Sequence, residues 1–300
     1  MSKQGKTGIS WTDATWNPVV GCTKVSEGCW NCWAEKAARL HYHSEFPNGW
    51  DGTVKTFPDR LEWPLHRQKP IRIAVGLMGD LFHEDVPFEF IERVFDVIRK
   101  GQKHVFQLLT KRPQRALDYW SWRKRDYLSP IMHSIWPSNA WLGVSVENQA
   151  TADERIPLLL QIPAAVRFVS AEPLIGPIKL TRHHAWCPTH DYAGGFCTGQ
   201  CPDRRYIDWL IVGGESGPGA RPIHPDWARS VRDQCQTAGV PFHFKGWGEW
   251  EPLARTDGVQ EMPFGDFDVD SHFGFDRVGK KAAGRLLDGR EWLEFPEAKQ

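Results

Sequence analysis

Six apolar, β-rich runs recur along this 300-residue chain, and helical patterns fill several of the intervals between them. The runs are Ile71–Met78, His104–Thr110, Ala140–Val146, Val166–Ser170, Ile207–Val212 and Val240–Phe244, each bounded by Gly, Pro or charged residues. Phe88–Lys100 sets Phe90, Ile91, Val94, Phe95 and Ile98 on one helical face, and Pro225–Ala238 opens on Pro-Asp-Trp and stops at Gly239. Near-continuous apolar strands alternating with helices predict a parallel sheet covered on its outside. With an initial strand before Cys22 the pattern supplies about six or seven β/α units, too few for a closed eight-unit barrel. The expected fold class is α/β: a partial (β/α)6 barrel over residues 1–250, with residues 251–300 as a C-terminal extension packed on it.

The ends of these runs carry the polar residues. Gly79-Asp80-Leu-Phe-His83-Glu84-Asp85 follows the first, Thr110-Lys111-Arg112-Pro113 the second, and Ser145-Val-Glu147-Asn148 ends the third. Ser170-Ala-Glu172-Pro173 and Gly213-Gly-Glu215-Ser-Gly-Pro-Gly-Ala-Arg221 end the next two. In a parallel barrel these ends converge on one mouth, so Asp80, Lys111, Ser145, Glu147, Glu172, Glu215 and Arg221 are candidates for one site. A single carboxylate in such a loop is readily a helix cap or a solvated residue, whereas five polar strand ends argue for a shared role. The glycine-rich segment 213–219 lacks the Lys-Ser/Thr of a phosphate loop. Its glycines instead suit close backbone approach to an adenine or a substrate, with Glu172, Glu215 and Arg221 as substrate contacts.

Cys22, Cys29 and Cys32 lie within eleven residues, spaced Cys-x6-Cys-x2-Cys. Structural zinc and ordinary electron-transfer clusters close their shells with four protein ligands, so three thiolates on one loop leave a metal position open. A [4Fe–4S] cluster with S-adenosylmethionine (SAM) on its fourth iron fits that count. Buried core thiols and a zinc site completed by a distant histidine are the competing readings. A second group, Cys187, His190, Cys197 and Cys201, lies in a Gly/Pro/Asp-rich stretch read as an inserted Cys/His-rich loop, residues 183–203. It matches a closed structural zinc site, with His183 or His184 as substitutes for His190, against the alternative of an exposed loop with adventitious cysteines. Cys235 falls on a predicted helix and is read as a core residue.

With seven cysteines and no apolar export segment near Met1, disulfides are not expected and the chain reads as soluble and cytoplasmic, with no membrane partner. The formal net charge of zero excludes a strongly basic nucleic-acid binder but not a local basic groove. Among the 16 tryptophans, Trp120-Ser-Trp-Arg-Lys-Arg125 is a candidate for base stacking and backbone contact, or else a solvated helix end.

The strings Trp11-Thr-Asp-Ala-Thr-Trp-Asn-Pro18, Gly21-Cys-x6-Cys-x-Asn-Cys-x-Ala-Glu35, Asp80-Leu-Phe-His-Glu-Asp-Val-Pro87, Leu109-Thr-Lys-Arg-Pro113, Gly143-Val-Ser-Val-Glu147 and Val212-Gly-Gly-Glu-Ser-Gly-Pro-Gly-Ala-Arg-Pro222 occur in order. Together they resemble the phage three-cysteine-motif family, which is related to radical SAM enzymes. The resemblance implies a partial barrel of radical SAM type with a [4Fe–4S] cluster on Cys22, Cys29 and Cys32, although the usual first gap is Cys-x3-Cys. By similarity to the spore photoproduct lyase branch it implies that Asp80 receives the SAM amine, Lys111 pairs with the SAM carboxylate, and Ser145 or Glu147 reaches the sugar or carboxylate. It further implies a 5′-deoxyadenosyl radical, an external one-electron reductant, and action on modified thymine in host-cytoplasmic phage DNA. The reaction would isomerise Nα-glycinyl-thymidine to its Cα-linked isomer, a step of thymine hypermodification that evades host restriction. A DNA-lesion lyase and a non-enzymatic zinc-stabilised binding protein, partnered with the product of a nearby gene, are the rival readings.

Overall fold

The computed structural model describes residues 5–44, 46–47, 50–126, 135–180, 206–254 and 273–297. Seven parallel strands form one sheet in strict chain order: β1 (Ala14–Trp16), β2 (Arg72–Val75), β3 (Val105–Thr110), β4 (Ala140–Ser145), β5 (Arg167–Ala171), β6 (Trp209–Gly213) and β7 (Phe242–Gly246). A two-residue strand, Gly5–Lys6, pairs antiparallel with β1 at the edge. Sequential order is what a chain produces when every crossover turns the same way, which keeps the helices on one face and curls the sheet into a half-barrel. The count is seven parallel strands, the upper end of the expected six or seven, with Ala14–Trp16 as the initial strand before Cys22.

Helix α1 (Trp33–His41) packs Ala34 and Ala38 in a separate small cluster with Val20, Tyr42, Phe46 and Met78, whereas the helices that cover the outer face are α2 (Phe88–Lys100), α3 (Pro113–Asp126), α4 (Gln149–Gln161) and α5 (Pro225–Ala238). α5 stops at Gly239, whose φ of 67° is the left-handed conformation that ends helices cheaply. Between sheet and helices lies the main core, including Ile73, Val94, Phe106, Leu142, Ile156, Leu210, Val231 and Phe244. Alternate residues point the other way, into the concave side, where Trp11, Trp141, Phe168, Trp209 and Ile211 form a second, mostly aromatic cluster. These rings plug the half-barrel below the strand ends, so the polar ends above them line an open mouth.

Beyond β7, a hairpin of β8 (Trp250–Ala254) and β9 (Phe273–Arg277) precedes a C-terminal run. That run returns to the sheet: Leu293 bridges His243, and Phe295 packs 5.1 Å from Trp209. No helix among the described residues is long and apolar enough to cross a membrane. Residues 183–203, with Cys187, His190, Cys197 and Cys201, lie outside the described residues.

Candidate active site

The chain reaches Cys22 through Gly21, which forms a parallel bridge to Gly79 just past β2. Both glycines are required by closeness. A Cβ at Gly21 would stand 2.2 Å from the Thr53 carbonyl oxygen, and one at Gly79 would stand 2.8 Å from the Gly21 oxygen. A single 3-10 turn, Glu27–Cys29, then leads to Cys32, the residue that caps α1. Cys22, Cys29 and Cys32 are all free thiols, and all three line one cavity of about 620 Å³ at the C-terminal ends of the strands.

The same cavity is lined by Asp80, Lys111, Arg112, Ser145, Ser170, Glu172, Glu215 and Lys245 from β2 through β7, and by Lys280 from the C-terminal segment. Strand ends separated by up to about half the chain thus do meet at one place. Of the residues singled out in the sequence, Glu147 and Arg221 are not part of the lining.

Glu147 lies directly beneath the cysteine loop. Its side chain is fully buried, and Oε1 accepts from Lys111 Nζ at 2.5 Å and from Ser26 Oγ at 3.0 Å, while Oε2 accepts from Arg155 Nη1 at 3.1 Å. Gly28 makes this possible, since a Cβ there would fall 2.4 Å from Glu147 Cγ. Burial pushes the Glu147 carboxyl up, but the Lys111 and Arg155 charges with the Lys111 and Ser26 hydrogen bonds outweigh it and hold it below the usual glutamate range. One buried carboxylate therefore ties the turn between Cys22 and Cys29 to β3 and α4.

Asp80 binds the neighbouring strand. It is 4% exposed, and its oxygens accept from Thr110 Oγ1 at 2.8 and 2.9 Å, from the Phe82 amide at 2.9 Å and from the Lys111 amide at 3.0 Å. Three donors, with the Arg112 guanidinium 3.5 Å from Oδ2, leave its carboxylate little acceptor capacity for a ligand. Its evident work is to fix the turn that aims Lys111 and Arg112. Arg112 Nη1 donates to Cys22 Sγ at 3.3 Å, Nη2 reaches Thr23 Oγ1 at 2.6 Å, and Nε reaches Glu84 Oε2 at 2.8 Å.

The glycine-rich segment braces the other end of the cysteine loop. Glu215 accepts from Asn31 Nδ2 at 3.0 Å and from Arg221 through its amide, Nε and Nη2 at 2.8 to 3.0 Å. Arg221 Nη2 also donates to the Glu27 carbonyl at 2.9 Å, and Asn31 Nδ2 donates to the Gly219 carbonyl at 2.6 Å. A Cβ at Gly214 would come 1.9 Å from the Trp247 oxygen, so the first glycines of the segment serve packing against β7's exit. Glu215 and Arg221 are thus engaged with each other and with the loop.

Burial pushes the Cys22 thiol up to about 12, helped by Asp80 and opposed by Arg112. Burial also raises Cys32, although the first amides of α1 at Ala34 and Glu35 pull it the other way. Such thiols stay protonated until a metal displaces the proton. Among the described residues no three His, Cys, Asp or Glu converge on a point that could hold a single ion. A polynuclear cluster, each thiolate on a different iron, asks for no such convergence, and the three-thiol donor set with Arg112 and Lys111 beside it fits that group.

No pattern in the sequence marks Ser26, Arg155, Lys245 or Lys280. Asn31 and Arg112 fall within shared motifs, but nothing there marks them as partners of Glu215 and Cys22. Trp120 is 5% and Arg123 1% exposed; Arg123 pairs with Glu92 at 3.1 Å, so these side chains of the Trp120–Arg125 stretch face the core rather than a nucleic acid. Cys235 is buried on α5, in accordance with the core reading.

The chain belongs to the family described as Protein of unknown function (DUF5131), whose model matches residues 6–296. No curated protein matches it. Among solved structures, spore photoproduct lyase complexed with dinucleoside spore photoproduct is similar at 9% identity and a TM-score of 0.44, over 86% of this chain and 69% of that chain. A double mutant of spore photoproduct lyase with bound AdoMet and dinucleoside spore photoproduct is similar at 11% identity and a TM-score of 0.39, over 57% of this chain and 48% of that one. The chain therefore spans between about half and two thirds of those proteins. Likenesses this slight carry nothing about activity.

Proposed function

We propose that this chain is a radical SAM enzyme of DNA modification, in which Cys22, Cys29 and Cys32 hold a [4Fe–4S] cluster and SAM occupies the cavity beside it. The observation that carries this reading is that three free cysteines of one loop line a single cavity at the strand ends of a parallel half-barrel. Bound together, the cluster and SAM supply a carbon radical able to take a hydrogen atom from an unactivated C–H bond.

The chain's own residues bind and orient. Lys111, held by Glu147 and aimed by the Asp80 turn, keeps ammonium protons free for the SAM carboxylate. Ser145 offers a hydroxyl to the sugar, and Arg112 offsets negative charge at Cys22. Trp11, Leu77 and Leu109 supply apolar lining that keeps water from the reacting centre. The finer assignment, isomerisation of Nα-glycinyl-thymidine to its Cα-linked isomer, is supported by the sequence motifs shared with the phage three-cysteine-motif family.

The test is anaerobic reconstitution, followed by reaction with SAM, reductant and DNA carrying Nα-glycinyl-thymidine, with nucleosides read by mass spectrometry. An isomer of unchanged mass and shifted retention is expected. Repair of an ultraviolet thymine lesion instead would favour the lyase reading. A colourless protein that leaves SAM intact would overturn both.

A further inference from the structure

The wall of the cavity contributed by β5, β7 and the C-terminal segment has no role in holding the cysteine loop. Glu172, just past β5, and Lys245, on β7, point into the concave side and form an ion pair across β6. The strand between them presents Gly213, where a Cβ would lie 3.3 Å from Lys245 Cβ and 3.4 Å from Glu172 Cγ. A side chain at that position would crowd the pair, and glycine leaves it in contact. Both partners remain open to the cavity, with 21% and 17% of their side chains exposed. Lys280, an exposed residue, joins them from the rim; it forms no ion pair of its own among the described residues, although the charges of Glu172 and Glu249 reach it.

We propose that Glu172, Lys245 and Lys280 form a subsite for an amino-acid group of the substrate, an amine beside a carboxylate. A phosphate dianion would face the Glu172 carboxylate, and a simple amine would face two ammonium groups, each at a cost in a partly desolvated site. A group with both charges meets complementary partners on both sides, its amine donating to Glu172 and its carboxylate accepting from Lys245 and Lys280. Desolvation and the Lys245 charge hold Lys280 below the ordinary lysine range against the opposing pull of Glu172 and Glu249, and a ligand carboxylate would add to that pull. Ser170, registered beside Ser145 on adjacent strands, adds a hydroxyl to the same wall. This subsite rests on the reading of the cavity as the substrate chamber of a radical enzyme, and it names the part of the substrate that the wall opposite the brace would hold.

The experiment is saturation-transfer NMR on the full-length protein without reductant or SAM, using N-methylglycine as the probe and acetate, methylammonium and phosphate as matched controls. N-methylglycine is expected to bind more tightly than each control, and affinity should fall roughly tenfold in Lys280→Gln and in the charge-balanced double variant Glu172→Gln/Lys245→Met. Lys280 sits outside the parallel sheet, so its variant keeps the fold even where the double variant does not. Equal binding of acetate, displacement by phosphate, or variants that bind like the wild type would overturn the subsite. Displacement of the probe by S-adenosylhomocysteine would also overturn it, by assigning the wall to the cofactor. Binding requires no cluster turnover, so a protein that binds N-methylglycine but never cleaves SAM would sink the proposed function and leave the subsite standing.

Discussion

Two buried carboxylates in this molecule are built almost alike and sit in different places. Glu92, on α2, is 1% exposed and is held by Tyr119 at 2.5 Å, Arg99 at 2.6 Å and Arg123 at 3.1 Å. Glu147 is held by Lys111, Ser26 and Arg155. Each combines two cations with one hydroxyl, and in each the partners outweigh burial to keep the carboxyl below the glutamate range. The Glu92 cluster joins α2 to α3 on the outer layer, away from the cavity. The Glu147 cluster joins the cysteine loop to β3 and α4. Identical chemistry therefore serves fold in one place and site in the other, and only position distinguishes them.

Glu92→Gln and Glu147→Gln each leave buried cations uncompensated and should each cost about 3 to 5 kcal/mol in thermal or denaturant unfolding. Only the Glu147 variant should also lose iron on reconstitution; equal iron in both would dissolve the distinction. Gly28→Ala separates the loop from the charge, because its Cβ collides with Glu147 and pushes loop and carboxylate apart while every ionised group is retained. It should cost about 1 to 3 kcal/mol and lower iron retention, measured side by side with Gly289→Ala, a left-handed surface glycine with open space around it.

The smallest effect is in pH. Both carboxyls have folded-state values below their unfolded ones, so their stabilisation is present above the ordinary glutamate range, near roughly 4.3, and is lost as pH falls through the folded values. The melting temperature of Glu92→Gln should fall less steeply than that of the wild type below about pH 4. Parallel slopes would mean that Glu92 does not titrate as described.

Much of this was legible from residues alone, for reasons that can be named. α2 and α5 match their predicted spans end to end, because each ends on a glycine, Gly101 and Gly239. Strand β2 is shorter than its apolar run, since Gly76 through Asp80 turn away to meet Gly21. Of α3 the residues show only a helix end at Trp120–Arg125, and α4 is not legible: buried Arg123 and Arg155 break the apolar stripe, and Pro157 reads as a breaker although the helix continues through it. In the site, the cysteines and strand ends could be read, but their internal engagements could not. Ser26 finds Glu147 121 residues away and Asn31 finds Glu215 184 residues away, and no local pattern marks such pairs.

The central claim, that Cys22, Cys29 and Cys32 are one ligand set, is tested most directly by iron content and visible spectrum after anaerobic reconstitution of single Cys→Ala variants. Cys235, buried on α5 away from the cavity, is the matched control. The account predicts a brown wild type and a brown Cys235→Ala protein, and loss of the bound iron and of the colour in each of the three loop variants. Full iron in all three, or iron lost only from Cys235→Ala, would contradict it.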